Sequence, residues 1–155
     1  MNSIAFKLRR YRYTVQQWFM TPIHRYIFGR RIVHFIHVSK TGGTSVKMAL
    51  MSFGCKTKTH YFCLHGHRFT LRDVPKKDIA IITLRDGKER QMSIAHETKP
   101  DAHKPQHWYW CNHPHSLTYV LHTEQLTEEF EILKQVFGIP LSVYCGHINK
   151  GTYHV

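Results

Sequence analysis

Acidic residues are scarce in this chain of 155 residues: 10 Asp and Glu stand against 22 Lys and Arg. With its 14 histidines neutral, the formal charge is +12 and the isoelectric point is about 9.8. Such an excess favours anionic partners: nucleotide phosphates, nucleic acid, acidic glycans or anionic lipid. No CxxC pair occurs among Cys55, Cys63, Cys111 and Cys145, which argues against a zinc ribbon. The cysteines are also too sparse for a disulfide scaffold, so reduced thiols in a cytoplasm are expected. No stretch approaches the roughly 20 apolar residues of a membrane span. Residues 1–31 lack the apolar core and small-residue cleavage site of a signal peptide. No internal repeat is visible, which sets solenoids aside. What is present is 42% hydrophobic and 13% aromatic, a composition that argues against disorder and gives one domain with a real core.

Strand and helix patterns alternate. "RIVHFIHV" (31–38) is β-branched and aromatic and reads as a buried strand. From Thr44 a helix is expected, with Val46, Ala49, Leu50 and Phe53 on one face and Gly54 after its end. "THYFCLHGH" (59–67) reads as a short strand entering a loop, and "DIAIITLRD" (78–86) as a strand covered on both faces. "GKERQMSIAHE" (87–97) begins as a helix. Residues 98–116, with three prolines and no period, read as a loop. "LTYVLH" (117–122) is a further strand. "TEQLTEEFEILKQVFG" (123–138) is amphipathic through Leu126, Phe130, Leu133 and Phe137, with Thr123 or Thr127 placed to cap it. The tail from Ser142 looks irregular. The sum is an α/β domain over 31–155 with a mostly parallel central sheet flanked by helices. A basic amphipathic helical segment, residues 1–30, precedes it. Ile4, Leu8, Tyr11 and Val15 recur there at helical spacing, which suits packing on the domain or peripheral contact with an anionic membrane.

"HVSKTGGTSV" (37–46) lies between the first strand and the first helix. A Gly-rich turn delivering a helix N-terminus is an anion cradle, because amide N–H groups and the helix dipole both point at the ligand. Gly42 and Gly43 permit close backbone approach. Thr44 and Ser45 add hydroxyls, and Lys40 adds a mobile charge. A Walker A loop needs GxxxxGK[ST]. Here Lys40 precedes the glycines, which disfavours a GTPase or ATP kinase.

"SKTGGTS" resembles the 5′-phosphosulfate loop of sulfotransferases that use 3′-phosphoadenosine 5′-phosphosulfate (PAPS), closest to their carbohydrate branch. "ITLRDGKERQMS" resembles the same family's 3′-phosphate block, with Arg85 and Ser93 at that block's spacing and Arg90 in its second arginine position. "LHGHRFTL" resembles the HGH element of glycan 2-O-sulfotransferases, "HKPQHWYW" an HxPQ segment, and "YVLHTEQLTEEFEILKQVFGIP" a strand-plus-helix unit. The pieces occur in the family's order over residues 31 to 150.

The resemblance implies a P-loop-like three-layer domain and transfer of a sulfuryl group from PAPS, as co-substrate, to a hydroxyl or amine of a carbohydrate or other anionic glycan, with no metal required. It implies that Lys40, Thr41, Gly42, Gly43, Thr44 and Ser45 hold the 5′-phosphate. Lys40 would also neutralise charge on the leaving oxygen, and Arg85 and Ser93 would hold the 3′-phosphate. His67 or His65 would act as base, with Glu97 and Glu124 in reserve. Lys150, Gly151 and Thr152 stand where relatives bring a basic loop over the nucleotide, or form a basic tail. Three departures stand out. Gly87 replaces a proline, nine residues separate Ser93 from His103, and the chain ends soon after "HINKGTY". A compact or shortened enzyme follows, cytoplasmic for want of a membrane anchor, with a peripheral membrane contact through residues 1–30. The alternative is an inactive remnant that binds nucleotide or polyanion. A metal site from "CNHPH" with Cys55, Cys63, His60, His65 or Cys145 is disfavoured, since Cys111 and His113 are too close for finger spacing. No RNP, helix-turn-helix or finger pattern supports specific nucleic-acid binding.

Overall fold

The computed structural model describes residues 18–95, 104–110 and 117–146. Four strands, β1 (Arg31–Ile36), β2 (His60–Leu64), β3 (Ile79–Leu84) and β4 (Thr118–His122), form one sheet in the order β2-β1-β3-β4. Every pairing is parallel. Among the described residues, α1 (Gly43–Ser52), α2 (Gly87–Ile94), α3 (Gln106–Trp110) and α4 (Leu126–Phe137) connect or cover the strands. Residues 18–22 are helical and run into a π-helical turn, Ile23–Ile27. Among the described residues no helix is long and apolar enough to cross a membrane.

The strands are apolar on both faces because both faces are covered. Val33 and Phe35 of β1 stand in register with Phe62 and Leu64 of β2 and with Ile79 and Ile81 of β3. They join Val46, Ala49 and Leu50 of α1 and Leu126, Phe130, Leu133 and Phe137 of α4 in one core cluster. On the opposite face Ile36, Ala80 and Ile82 pack under Leu71, Val74 and Tyr109. The result is an α/β domain with a parallel sheet between helical layers.

Three expectations are corrected. The first strand stops at Ile36 rather than running to residue 38, because the His37 and Val38 carbonyls turn to side-chain donors. Within 98–116, read as a loop, α3 forms, and buried Tyr109 holds it on the sheet. Neither Thr123 nor Thr127 caps α4, whose N-cap is Gln125 without a side-chain bond. A 3-10 turn, Thr123–Gln125, precedes α4, and the Thr123 hydroxyl donates instead to the Leu84 carbonyl at 2.8 Å.

Beneath the second face lies a buried carboxylate. Asp78 Oδ2 accepts from Arg25 at 2.7 Å and lies 3.0 Å from His34 Nε2. Burial alone would raise its pKa, but the bonds from His34 and Arg25 outweigh that and hold it below the ordinary carboxylate range. Removing one member of such a group leaves the others desolvated and unmatched. Asp78→Ala is therefore expected to cost about 3 kcal/mol in urea unfolding. A loss under about 0.5 kcal/mol, typical of a bland surface change, would contradict this account.

Candidate anion-binding site

The order β2-β1-β3-β4 reverses direction between β1 and β3, and open α/β sheets bind ligands in the crevice at such a switch point. The β1–α1 turn leads into that crevice. Lys40 and Gly42 are both left-handed, at φ 62° and 72°, which suits glycine but strains lysine. A Cβ on Gly42 would also fit tightly, 3.2 Å from Leu126 Cδ2 and 3.4 Å from Thr123 Cγ2, so those side chains would have to give slightly.

Three successive carbonyls of the turn are each held by a side chain. His67 Nδ1 lies 3.0 Å from the His37 carbonyl and donates to it. The Thr41 hydroxyl donates to the Val38 carbonyl at 3.0 Å. Arg90 Nε donates to the Ser39 carbonyl at 3.1 Å. Because a trans peptide sets its N–H opposite its C=O, these bonds also fix the directions of the Val38, Ser39 and Lys40 amides. Thr41 and Thr83 are fully buried, with their hydroxyl oxygens 2.7 Å apart, so the turn is tied to β3.

At the head of α1 the Ser45 amide donates to the Gly42 carbonyl at 3.0 Å. Helix geometry gives the Gly43 and Thr44 amides no acceptor within the helix. Of the turn residues expected to hold a phosphate, Gly43 is buried and the Ser45 amide is engaged within the turn. Thr44 is exposed, whereas the Thr41 side chain serves the fold. Gly43 faces the His37 ring, and a Cβ built there would fall 2.2 Å from its Cδ2.

Across the crevice, Arg85 follows β3. Gln106 of α3 clamps its backbone, accepting from the Arg85 amide at 2.9 Å and donating to the Arg85 carbonyl at 2.8 Å. The Arg85 guanidinium is 3.3 Å from Glu89, an i,i+4 pair worth only about 0.5 kcal/mol at partial exposure. A phosphate would compete with that carboxylate readily. Glu124 accepts from the Asp86 amide at 2.9 Å, a structural task that leaves it less suited to act as a base. Leu84, Arg85, Asp86, Gln106, His122 and Glu124 line an open cleft of about 680 Å³ here. Arg90 is buried, with Nη2 donating to the Lys104 carbonyl at 2.6 Å, so it braces the turn. Ser93 lies on α2, and its side chain is outside the described residues, as are Glu97, Cys111, His113, Lys150, Gly151 and Thr152.

The two candidate bases differ. His65 stacks on Phe69 at 3.5 Å and bonds His34 Nδ1 at 2.8 Å, in line with Asp78. Burial, then the neighbouring His34, then Lys47 push its pKa down to about 3, which makes it a weak proton acceptor at neutral pH. His67 sits beside the turn, with Nδ1 also 3.1 Å from the Ser39 hydroxyl. Since a carbonyl only accepts, Nδ1 carries the proton and the basic lone pair is on Nε2. Among the described residues no three His, Cys, Asp or Glu side chains group as a metal site.

The jobs of Gln106, Arg90 and Tyr109, whose hydroxyl lies 3.3 Å from Ser39 Oγ, were not assigned from the sequence. Gln106 and Arg90 fall inside "HKPQHWYW" and "RDGKERQMS", so the motifs marked the residues without their partners. Comparison with protein-family models, curated proteins and solved structures finds no match for this chain.

Gly43→Ala is expected to cost about 2 kcal/mol, because the His37 ring must move to admit the methyl group. Adding His37→Ala should recover most of it, and a neutral Gly43→Ala in urea unfolding would refute this packing. His37 and His65 are both lowered from 6.5 to about 3, His37 by burial, His67 and Lys47. The unfolded chain protonates them near pH 6.5 and the folded chain only near 3. Across that window the unfolded state binds more protons, so stability falls as pH falls. Urea midpoints should drop steadily below pH 6.5, with a shallower drop in His65→Gln. An unchanged slope in that variant would exclude His65 as a source.

Proposed function

We propose that this chain is a PAPS-dependent sulfotransferase of the carbohydrate type on a P-loop-like three-layer fold. The observation that carries the reading is the braced β1–α1 turn. His67, Thr41 and Arg90 hold three consecutive carbonyls, while the α1 N-terminus opens at the β1/β3 switch point near Arg85. That arrangement suits a ligand with anionic groups at two places, and PAPS is one. The motif resemblance agrees with it.

In this reading the Gly43 and Thr44 amides and Lys40 take the 5′-phosphosulfate, while Arg85, with Ser93, takes the 3′-phosphate as a planar fork takes an anion. The acceptor oxygen attacks sulfur as the bond from sulfur to the 5′-phosphate oxygen breaks, and PAP (3′-phosphoadenosine 5′-phosphate) departs with that electron pair. Lys40 offsets the charge that grows on the leaving oxygen. The acceptor proton passes to His67 Nε2, whose tautomer the His37 carbonyl sets. The acceptor is a carbohydrate hydroxyl or amine, and the basic surface suits an acidic or already sulfated glycan. A nucleotide- or polyanion-binding protein without turnover is the second reading. It is favoured by the His37 ring, which takes up space against Gly43 at the α1 N-terminus.

Calorimetric titration with PAP tests both. The wild-type protein should bind in the micromolar range and adenosine 5′-phosphate much more weakly. Lys40→Ala and Arg85→Ala should each lose about tenfold or more. Absence of binding by folded wild-type protein overturns the sulfotransferase reading and leaves the inactive, polyanion-binding one. Binding without sulfuryl transfer to any glycan selects the second, and transfer confined to small neutral phenols overturns the carbohydrate assignment.

A further inference from the structure

Residues 18–22 and the turn Ile23–Ile27 dock on the domain through Met20, which packs against Ile32, Tyr61 and Cys63, and through polar side chains. Thr21 Oγ1 lies 3.3 Å from Cys63 Sγ, Arg25 donates to buried Asp78 at 2.7 Å, and His24 stacks on Tyr61 at 3.9 Å while accepting from Arg30 at 2.7 Å. Large apolar side chains point outward: Trp18 is 80% exposed, Phe19 68%, Tyr26 75%, Ile27 72% and Phe28 55%. Scattered exposed apolar residues are ordinary, but five on one short segment are not.

The aromatic face is bordered by cations. The Arg30 guanidinium lies 4.9 Å over the Phe28 ring. Arg31, Lys56 and Lys58 are exposed at the N-terminal ends of β1 and β2, where Arg31 pairs with His60. Nothing acidic offsets them locally in sequence, since the first acidic residue of the chain is Asp73.

We propose that this surface docks on an anionic lipid bilayer, with the Trp, Phe and Tyr rings at headgroup depth and the cationic border over the phosphates. Amphipathic aromatic rings favour that depth, and each cation near an anionic leaflet adds attraction. A second copy of the chain fits poorly, because a two-fold pairing would bring together two patches that both carry Arg30, Arg31, Lys56 and Lys58. The proposal stands apart from the sulfotransferase reading, and a failed PAP titration leaves it untouched.

Co-sedimentation of the full chain with phosphatidylcholine vesicles, with and without phosphatidylserine, tests it, alongside sedimentation equilibrium without lipid. Wild-type protein should partition onto the phosphatidylserine vesicles and come off as salt rises. Trp18→Ser/Phe19→Ser/Tyr26→Ser should lower the partition about tenfold or more, and Arg31→Ala about fivefold. Wild-type protein that ignores phosphatidylserine, or a triple variant that partitions like wild type, overturns the proposal. A lipid-free dimer that the triple variant dissolves also overturns it, in favour of a second copy. If the triple variant is unfolded by circular dichroism, the phosphatidylserine and salt dependence of wild type and Arg31→Ala decides.

Discussion

A backbone turn that leaves one buried strand and starts a covered helix must have its peptide groups satisfied, and the site depends on how this is done. The carbonyls of the β1–α1 turn are met by side chains. Three carbonyls in a row take donors from His67, Thr41 and Arg90, which come from three different parts of the chain. Each missing donor would leave a buried carbonyl costing about 1–3 kcal/mol. The solution also has a direction: carbonyls held on the protein side leave amides and a helix dipole for the crevice. Anion binding and fold stability thus draw on the same bonds.

That dependence ties the candidate base to the cradle. His67 is held through Nδ1 by the carbonyl that begins the turn, so whatever shifts the turn shifts its ring as well. His65, two residues earlier, belongs to a different economy. It extends the line from Asp78 through His34 and is kept neutral by burial. Two histidines in one short motif thus have unrelated tasks, one beside the turn and one bracing the sheet against the segment that carries Arg25.

Much of this was legible in the sequence because period and punctuation are local. The apolar runs of β1 and β3, the α4 stripe and the Gly42-Gly43 turn all declare themselves within a few residues. The parallel sheet followed from their alternation. What stayed hidden is long-range pairing of polar groups. Nothing near Gln106 tells that its amide clamps Arg85, 21 residues away. Nothing near Thr41 marks Thr83, 42 residues away, as its partner. Helix α3 was missed because its five residues are helical through tertiary contact of Tyr109 rather than through a periodic stripe. Thr123 was misread for a related reason: a hydroxyl near a helix start suggests a cap, but here the Leu84 carbonyl competes for it and wins.

The place of β1 in the sheet has a consequence for how the chain comes off the ribosome. β1 is hydrogen-bonded on one edge by β2 and on the other by β3. β2 begins at His60, and β3 only at Ile79. Until β3 has been made, β1 shows an unpaired parallel edge. Such an edge is a template for pairing with other chains, and parallel pairing across long loops is slow. The nascent chain must therefore be shielded through that interval, and refolding at high concentration will lose material to aggregation. The order of strands that creates the crevice also sets the period in which the unfinished protein is most vulnerable.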